Sequence, residues 1–471
     1  MPVFSGKSGP SRSHHSLGGR YHEERSDLVS WKQPWIAAIA VLVIWPCEMQ
    51  AADWPGFRGP NRDGICTETG LLRQWPAPEK EGELGPGPPL LWRSEQVGNG
   101  FAGLSVHGSL LYTMGEHNGA EYIVCVDTAN AGKVIWAFPI GPVRHDGGGY
   151  PGPRCTPTIY RDRVYALGLS GDLVCLDAMY GQQKWRCSLP AMYGGTVPKW
   201  GYSESPLVDG NWIVCTPGGS MATILALWRV NGQKVWASPI GDPAGYSSLV
   251  KVSIGGTAQY VQFTANGIVG VRVRGGDMLW RWDAPANETA NVNTPLWYGQ
   301  TVFAAGGQGG GSGVVFPIKH GDEFIPKEMY FNKDIQIDHG GAILWNGYVY
   351  ACINPNKLSC IDYKTGEIKW QDESCGKCSL LFADGMLYAR DEMGPVSLVR
   401  ATPEGFALQG RFAPRRRSRK QSWVHPVISG GRLFLREQNT LFCYDVANRP
   451  LEEQPDEKKK NSRRRSTRSR Q

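Results

Sequence analysis

No stretch of this chain approaches the roughly twenty consecutive apolar residues that a membrane-spanning helix needs; the longest runs only from Trp35 to Trp45. There is no Gly-x-Ser-x-Gly elbow and no zinc-protease helix motif, and the nine histidines lack metal-ligand spacing. The glycine run Gly306–Gly313 is not followed by Gly-Lys-Ser/Thr and opens no helix, so it reads as a strand connection rather than a phosphate cradle. No Cys-Cys dipeptide occurs. Glycine without a three-residue period and apolar residues without heptads exclude collagen and coiled coil. These absences remove most common catalytic classes before any fold is considered.

What the chain does hold is glycine and aromatics. Its 471 residues include Gly 60, Trp 18 and Tyr 18, and 41% are hydrophobic, enough to bury a large core. Many glycines among many aromatics point to short strands joined by tight turns. The net charge of +7 is misleading. Eight cations fall in 458–471 and six more between Arg411 and Lys420; without those fourteen the rest carries −7. A nucleic-acid binder would spread positive charge over a folded face, so nucleic acid is not an expected partner.

The run Trp35–Trp45, preceded by Lys32 and followed by Ala51-Ala52, has the length of a secretory signal core with cleavage near Ala52. Residues 1–52 are therefore expected to be a signal peptide with a long polar extension. A translation start at Val29 would give an ordinary leader. Residues 447–471 are polar, charged and aperiodic, and read as a disordered basic tail able to contact an anionic surface. The protein is expected to be exported, to the periplasm or cell envelope, and monomeric.

Between these ends one unit repeats. Five segments share Gly-x-x-x-Trp spacing: Gly132/Trp136, Gly181/Trp185, Gly232/Trp236, Gly276/Trp280 and Gly366/Trp370. Steps such as Cys125-Val-Asp127, Cys175-Leu-Asp177 and Cys360-Ile-Asp362 precede several of them, placing an Asp/Gly turn between two strands. Further upstream in each unit lies an alternating apolar hairpin, as at Asp209-Gly210, Asn346-Gly347 and Gly430-Gly431. Eight hairpins recur at intervals of roughly 45 residues, the period of a four-stranded propeller blade. The last unit has three strands, whereas Pro89-Leu-Leu-Trp-Arg93 is an orphan one repeat ahead of Trp136. Donating that strand to the last blade closes the ring and removes an open edge. The prediction is an all-β, eight-bladed β-propeller over 89–446, with seven blades as the alternative. The sixth and seventh units read as degenerate, with Tyr330-Phe331 and Phe412 where Trp is expected.

These repeats resemble those of pyrroloquinoline quinone (PQQ) dehydrogenase-like propellers, and more narrowly the PQQ-like repeat proteins that include BamB. The opening Asp53-Trp-Pro-Gly-Phe-Arg-Gly-Pro-Asn-Arg-Asp-Gly64 with Thr69-Gly-Leu-Leu72 is similar to that of a secreted bacterial subgroup. Residues 53–88 are expected to form an extension packing on the propeller. Fold-level likeness leaves the activity open, because propellers host many functions.

Candidate site residues come from position. The segments just before the innermost strands surround one mouth of the central channel. They supply Arg154, Tyr202, Glu204, Tyr246, Asn293, Asp338, His339, Lys377, Trp423 and His425. Such a ring could hold a small ligand or a peptide, or its groups could satisfy one another around a water-filled channel. Cys125, Cys175, Cys360 and Cys443 share one repeat position and read as core filler, too far apart to bridge. Cys375-Gly-Lys-Cys378 is the one possible disulfide or dithiol pair.

The leading expectation is a non-enzymatic exported scaffold recognising a protein or peptide partner, with no cofactor and no metal. One alternative is a PQQ-dependent dehydrogenase-like oxidoreductase. The resemblance implies that such an enzyme would hold the quinone with Ca²⁺ through Glu204 and Asn293, with Arg154 and Lys377 beside its oxygens. The absent Cys-Cys dipeptide, which the quinone enzymes carry as a bridged pair, opposes that alternative. The other alternative is carbohydrate or small-ligand binding without turnover.

Overall fold

The computed structural model describes residues 52–449 apart from 81, 144–149 and 419. The signal-peptide reading of 1–52 and most of the basic tail lie outside the described residues. Each repeat forms a four-stranded antiparallel sheet, and eight such sheets follow one another: 105–142, 158–188, 207–238, 250–282, 296–332, 337–372, 378–412 and 427–445. The eighth is completed by the strand Leu90–Ser94, with Trp92 opposite Cys443 and Arg93 opposite Phe442. The protein is thus an eight-bladed β-propeller whose ring is closed by its own N-terminal strand, leaving no unpaired blade edge at the junction.

The blades form where β-branched and aromatic residues alternate between tight turns. In the first, Leu111 faces Val126 and Tyr112 faces Cys125 across the ladder. The hairpin turns take two left-handed residues, as in Asn346-Gly347 (φ 50° and 82°) and Asp384-Gly385 (48° and 80°). Asp127, Asp177 and Asp362 each accept a backbone N–H two residues on, closing the outer turn of their blades. Cys125, Cys175, Cys360 and Cys443 are free and fully buried.

The Gly-x-x-x-Trp pair works between blades rather than within one. The ring of Trp92 covers Gly132, Trp136 covers Gly181, Trp185 covers Gly232, Trp236 covers Gly276, and Tyr330 covers Gly366. At each glycine φ lies between 67° and 79°. A Cβ there would stand within 2.8 Å of the neighbouring ring. Indole N–H groups complete several of these joints: Trp136 donates to Ala178 O at 3.1 Å and Trp185 to Arg229 O at 2.9 Å. Tyr330-Phe331 proves to belong to the fifth blade, not the sixth, whose Trp370 is in place and donates to Thr402 O. Phe412 ends the seventh blade.

Candidate functional site

Residues 52–68 enter the central channel from the face of the hairpin turns, loop inside it and return to the same face. Trp54 exchanges backbone hydrogen bonds with Val106 of the first blade, and Pro55 O accepts from Ile159 N of the second. Arg62 donates to Pro206 O and Leu249 O beside the third and fourth, and Arg58 to Ala342 O in the sixth. Ile65–Cys66 pairs in parallel with Phe382-Ala383 of the seventh. Glu68 accepts from Gly430 N and Gly431 N of the eighth at 2.6 and 2.7 Å. Burial lowers Arg58 and Arg62 to about 10, and their guanidiniums are held largely by carbonyls. The channel is therefore plugged by a segment tied to seven blades.

Above the plug, at the opposite face, the mouth is a cavity of about 490 Å³ whose lining includes Trp54, Phe57 and Arg58 of the plug. Of the predicted ring, Arg154, Tyr246, Asn293, Asp338, His339, Lys377, Trp423 and His425 line it. Tyr202 and Glu204 do not. The segment ahead of the strand Leu207–Asp209 turns Tyr202 into the core, where its hydroxyl donates to Pro217 O. Glu204 is buried below, accepting from Thr216 N, Thr216 Oγ1 and Gln262 Nε2. Burial pushes its carboxyl up to about 8, against those donors and the Arg62 charge.

Aromatic faces dominate one side of the cavity. Trp423 packs against Phe101, Tyr150 and His339 at centroid distances of 4.8, 4.9 and 4.9 Å. Trp200 and Tyr246 form a second pair at 5.5 Å. The charges are matched in place. Lys377 pairs with Asp338, which also accepts from Asn354. Arg154 donates to Trp200 O and Tyr150 O and lies over Phe101. Glu392 accepts from the Trp423 indole at 3.0 Å. Burial drops His339 to about 3 and His425 to about 4, assisted by Lys377 and Arg58 respectively. Both imidazoles are neutral at physiological pH.

Cys375 and Cys378 are both buried and unbridged; burial pushes the Cys375 thiol up to about 12, and its neighbour Cys352 together with burial raises Cys378. Cys352 also donates to Gly376 O at 3.4 Å. All three thiols are free.

A family model described as outer membrane protein assembly factor BamB, of the PQQ_2 type, matches residues 119–372, more than half of the chain. The chain belongs to this family. It is 22% identical over 275 residues to the outer membrane protein assembly factor BamB of Burkholderia pseudomallei, covering 56% of this chain and 65% of that protein. The match thus spans just under two thirds of that relative's length. Among solved structures, BamB from Moraxella catarrhalis superposes with a TM-score of 0.55 at 12% identity, over 77% of this chain and 98% of that one. The quinohemoprotein alcohol dehydrogenase from Comamonas testosteroni gives 0.57 at 12% identity, over 86% and 82%. Likeness at this identity establishes the fold alone.

The four residues that the resemblance implied for a calcium-held quinone are not arranged together to hold one. Glu204 and Asn293 are not brought to one cavity, Lys377 is already paired with Asp338, and Arg154 is spent on carbonyls. Among the described residues no cluster of His, Cys, Asp or Glu is arranged to hold a metal ion.

Sequence reasoning placed one lining segment per blade but missed the plug residues Trp54, Phe57 and Arg58, and also Tyr150, Trp200 and Glu392. The available signal was the unusual Asp53–Gly64 opening itself. Two arginines in a stretch rich in glycine and proline, ahead of the first strand, have no blade to belong to.

Proposed function

We propose that the protein is a non-enzymatic, exported β-propeller scaffold of the cell envelope that recognises a protein or peptide partner at the mouth. The observation that carries this reading is the mouth's construction. One loop from each blade frames a cup of aromatic faces in which the acids and most cations are already paired. Aromatic side chains flanked by locally satisfied polar groups suit recognition, where buried aromatics carry most of the energy. The two histidines of the mouth are neutral, its acids are paired, and no cysteine lines it among the described residues, which suits recognition more than turnover. Membership of the BamB family supports an envelope role, and a basic tail would add contact with an anionic surface.

Affinity capture of the full chain from the envelope of its producing cells, followed by mass spectrometry, tests this reading. A specific partner should be lost in Trp423→Ala and Phe101→Ala variants and retained when residues after 449 are removed. Loss with the tail alone would move the binding surface there. Incubation with PQQ and Ca²⁺ that yields a quinone absorbance band and dye reduction with an alcohol would overturn the non-enzymatic reading.

A further inference from the structure

The basic run Arg411–Lys420 leaves the outer strand of the seventh blade and crosses the mouth face to the inner strand of the eighth. Its cations divide into two kinds. Arg411 and Arg417 are taken up locally, against Asp391 at 3.5 Å and the buried Glu437 at 3.8 Å. Ser418 donates to the same Glu437 at 2.8 Å, and Arg93 of the closing strand donates to Arg416 O at 3.1 Å. These contacts pin the loop across two blades. Arg415, Arg416 and Lys420 are exposed and have no acidic partner among the described residues. Glu95, the exposed acid beside the loop, is taken by Arg93.

The loop ends in the recess, where Gln421 and Trp423 line the mouth cavity. Inside the cavity Arg154 donates to the carbonyls of Trp200 and Tyr150, and Arg58 to those of Asp63 and Ala342. Carbonyls satisfy a guanidinium's donors without cancelling its charge. With both histidines neutral, Arg58, Arg154 and Lys377 face only Asp338 and Glu392, so the recess holds one excess positive charge. The three exposed cations of the loop add to it along the rim. The occupant of this face is therefore anionic.

Charge and shape elsewhere narrow its class. Without the two basic runs the rest of the chain carries −7, so a long anionic polymer would meet repulsion beyond the loop. A flat anionic bilayer cannot enter a recess of about 490 Å³. Trp423 with Phe101 and Tyr150, at the loop's end, offers faces suited to an apolar or aromatic side chain. A short peptide segment meets both demands. We infer that the mouth recognises an acidic segment of its partner, with one aromatic or apolar side chain seated against Trp423 and flanking carboxylates held by Arg415, Arg416 and Lys420. The inference rests on partner recognition at the mouth and adds the chemistry of what is recognised.

The purified full chain is titrated by fluorescence anisotropy against fluorescein-labelled Glu-Glu-Asp-Trp-Glu-Glu, with a control peptide carrying Lys in place of every acid. The acidic peptide should bind saturably with a Kd of about 100 μM or tighter, weakening about tenfold between roughly 50 and 200 mM salt. The control should bind at least about tenfold more weakly. The triple variant Arg415→Ser/Arg416→Ser/Lys420→Ser changes exposed side chains, so it should melt as the parent does while binding the acidic peptide about tenfold more weakly. Should it fail to fold, Arg415→Ser alone serves in its place. Trp423→Ala should weaken the peptide as well, and removal of residues after 449 should not. No saturable binding, equal affinity for the two peptides, or undiminished affinity in the folded triple variant would each overturn the inference. Loss of binding with the tail alone would do the same, as would association with phosphatidylglycerol vesicles without peptide binding. Capture of the same envelope partner by the parent chain and the triple variant alike would uphold partner recognition and overturn its acidic character.

Discussion

Replacing Gly232 with alanine probes the joint between blades directly. Gly232 sits at φ 73°, and a Cβ there would lie 2.8 Å from the Trp185 ring of the preceding blade. Trp185 is 8% exposed and fixed by its indole bond to Arg229 O, so it has little room to yield. Two costs add. Holding an L-residue in the left-handed region costs about 1 kcal/mol, and forcing a methyl into a packed contact costs about 1–3 kcal/mol more. The total is about 2–4 kcal/mol. Gly210 supplies the control. It has φ 58° with nothing within 4 Å of its would-be Cβ, so Gly210→Ala should cost only the left-handed term, about 1 kcal/mol. In a Trp185→Ala background, Gly232→Ala should likewise fall to about 1 kcal/mol, because the clash is gone. Equilibrium urea denaturation, followed by far-UV circular dichroism, reads all four variants. Equal costs for Gly232→Ala and Gly210→Ala would refute the idea that ring-on-glycine docking holds adjacent blades.

Three further outcomes follow from buried groups. Arg436 is fully buried and donates to the carbonyls of Gly98, Ala102, Met114 and Gln438, so Arg436→Met should cost at least about 3 kcal/mol. Arg186→Met, which breaks only a half-exposed pair with Asp172, should cost under about 1 kcal/mol; similar urea midpoints would contradict the contrast. Burial raises Glu121 to about 7, with Oε2 accepting from Leu169 N and Oε1 unpartnered. The folded state therefore holds this proton more tightly than the unfolded chain, and stability is lost as pH rises from about 4.5 to 7. Glu121→Gln should stabilise the fold at pH 8 by up to about 3 kcal/mol and not at pH 4; a pH-independent difference in melting would rule the shift out. Peptide mapping without reduction should find no Cys375–Cys378 bridge, since both thiols are free and buried; detection of that bridge would overturn the placement.

Most of the fold was legible because a propeller is local. Each blade is built from hairpins whose period-2 patterning and turn residues lie within a few dozen positions of one another. The closing strand was legible too, since an orphan Leu90–Ser94 and an incomplete last unit each lack what the other has. The candidate site was legible to the extent that it depends on the repeat: eight of the ten predicted residues line the mouth. Tyr202 and Glu204 failed because a short segment before a strand has no pattern to tell which side chain points into the channel.

The amino-acid order by itself determined the propeller architecture, favoured eight blades over seven, and marked the repeating aromatic and glycine residues and the face on which the mouth lies. Tertiary structure alone decided that the Gly-x-x-x-Trp pair acts across a blade boundary, because the ring docks on a neighbour 36 to 47 residues away in sequence. It alone decided that residues 52–68 fill the channel, since their carbonyl-seeking arginines find partners on many blades only once the ring exists. The carbonyl contacts of Arg62 with Pro206 and Leu249 belong to the same class. Satisfaction of a polar group is a property of its surroundings, and those surroundings come from segments more than a hundred residues apart.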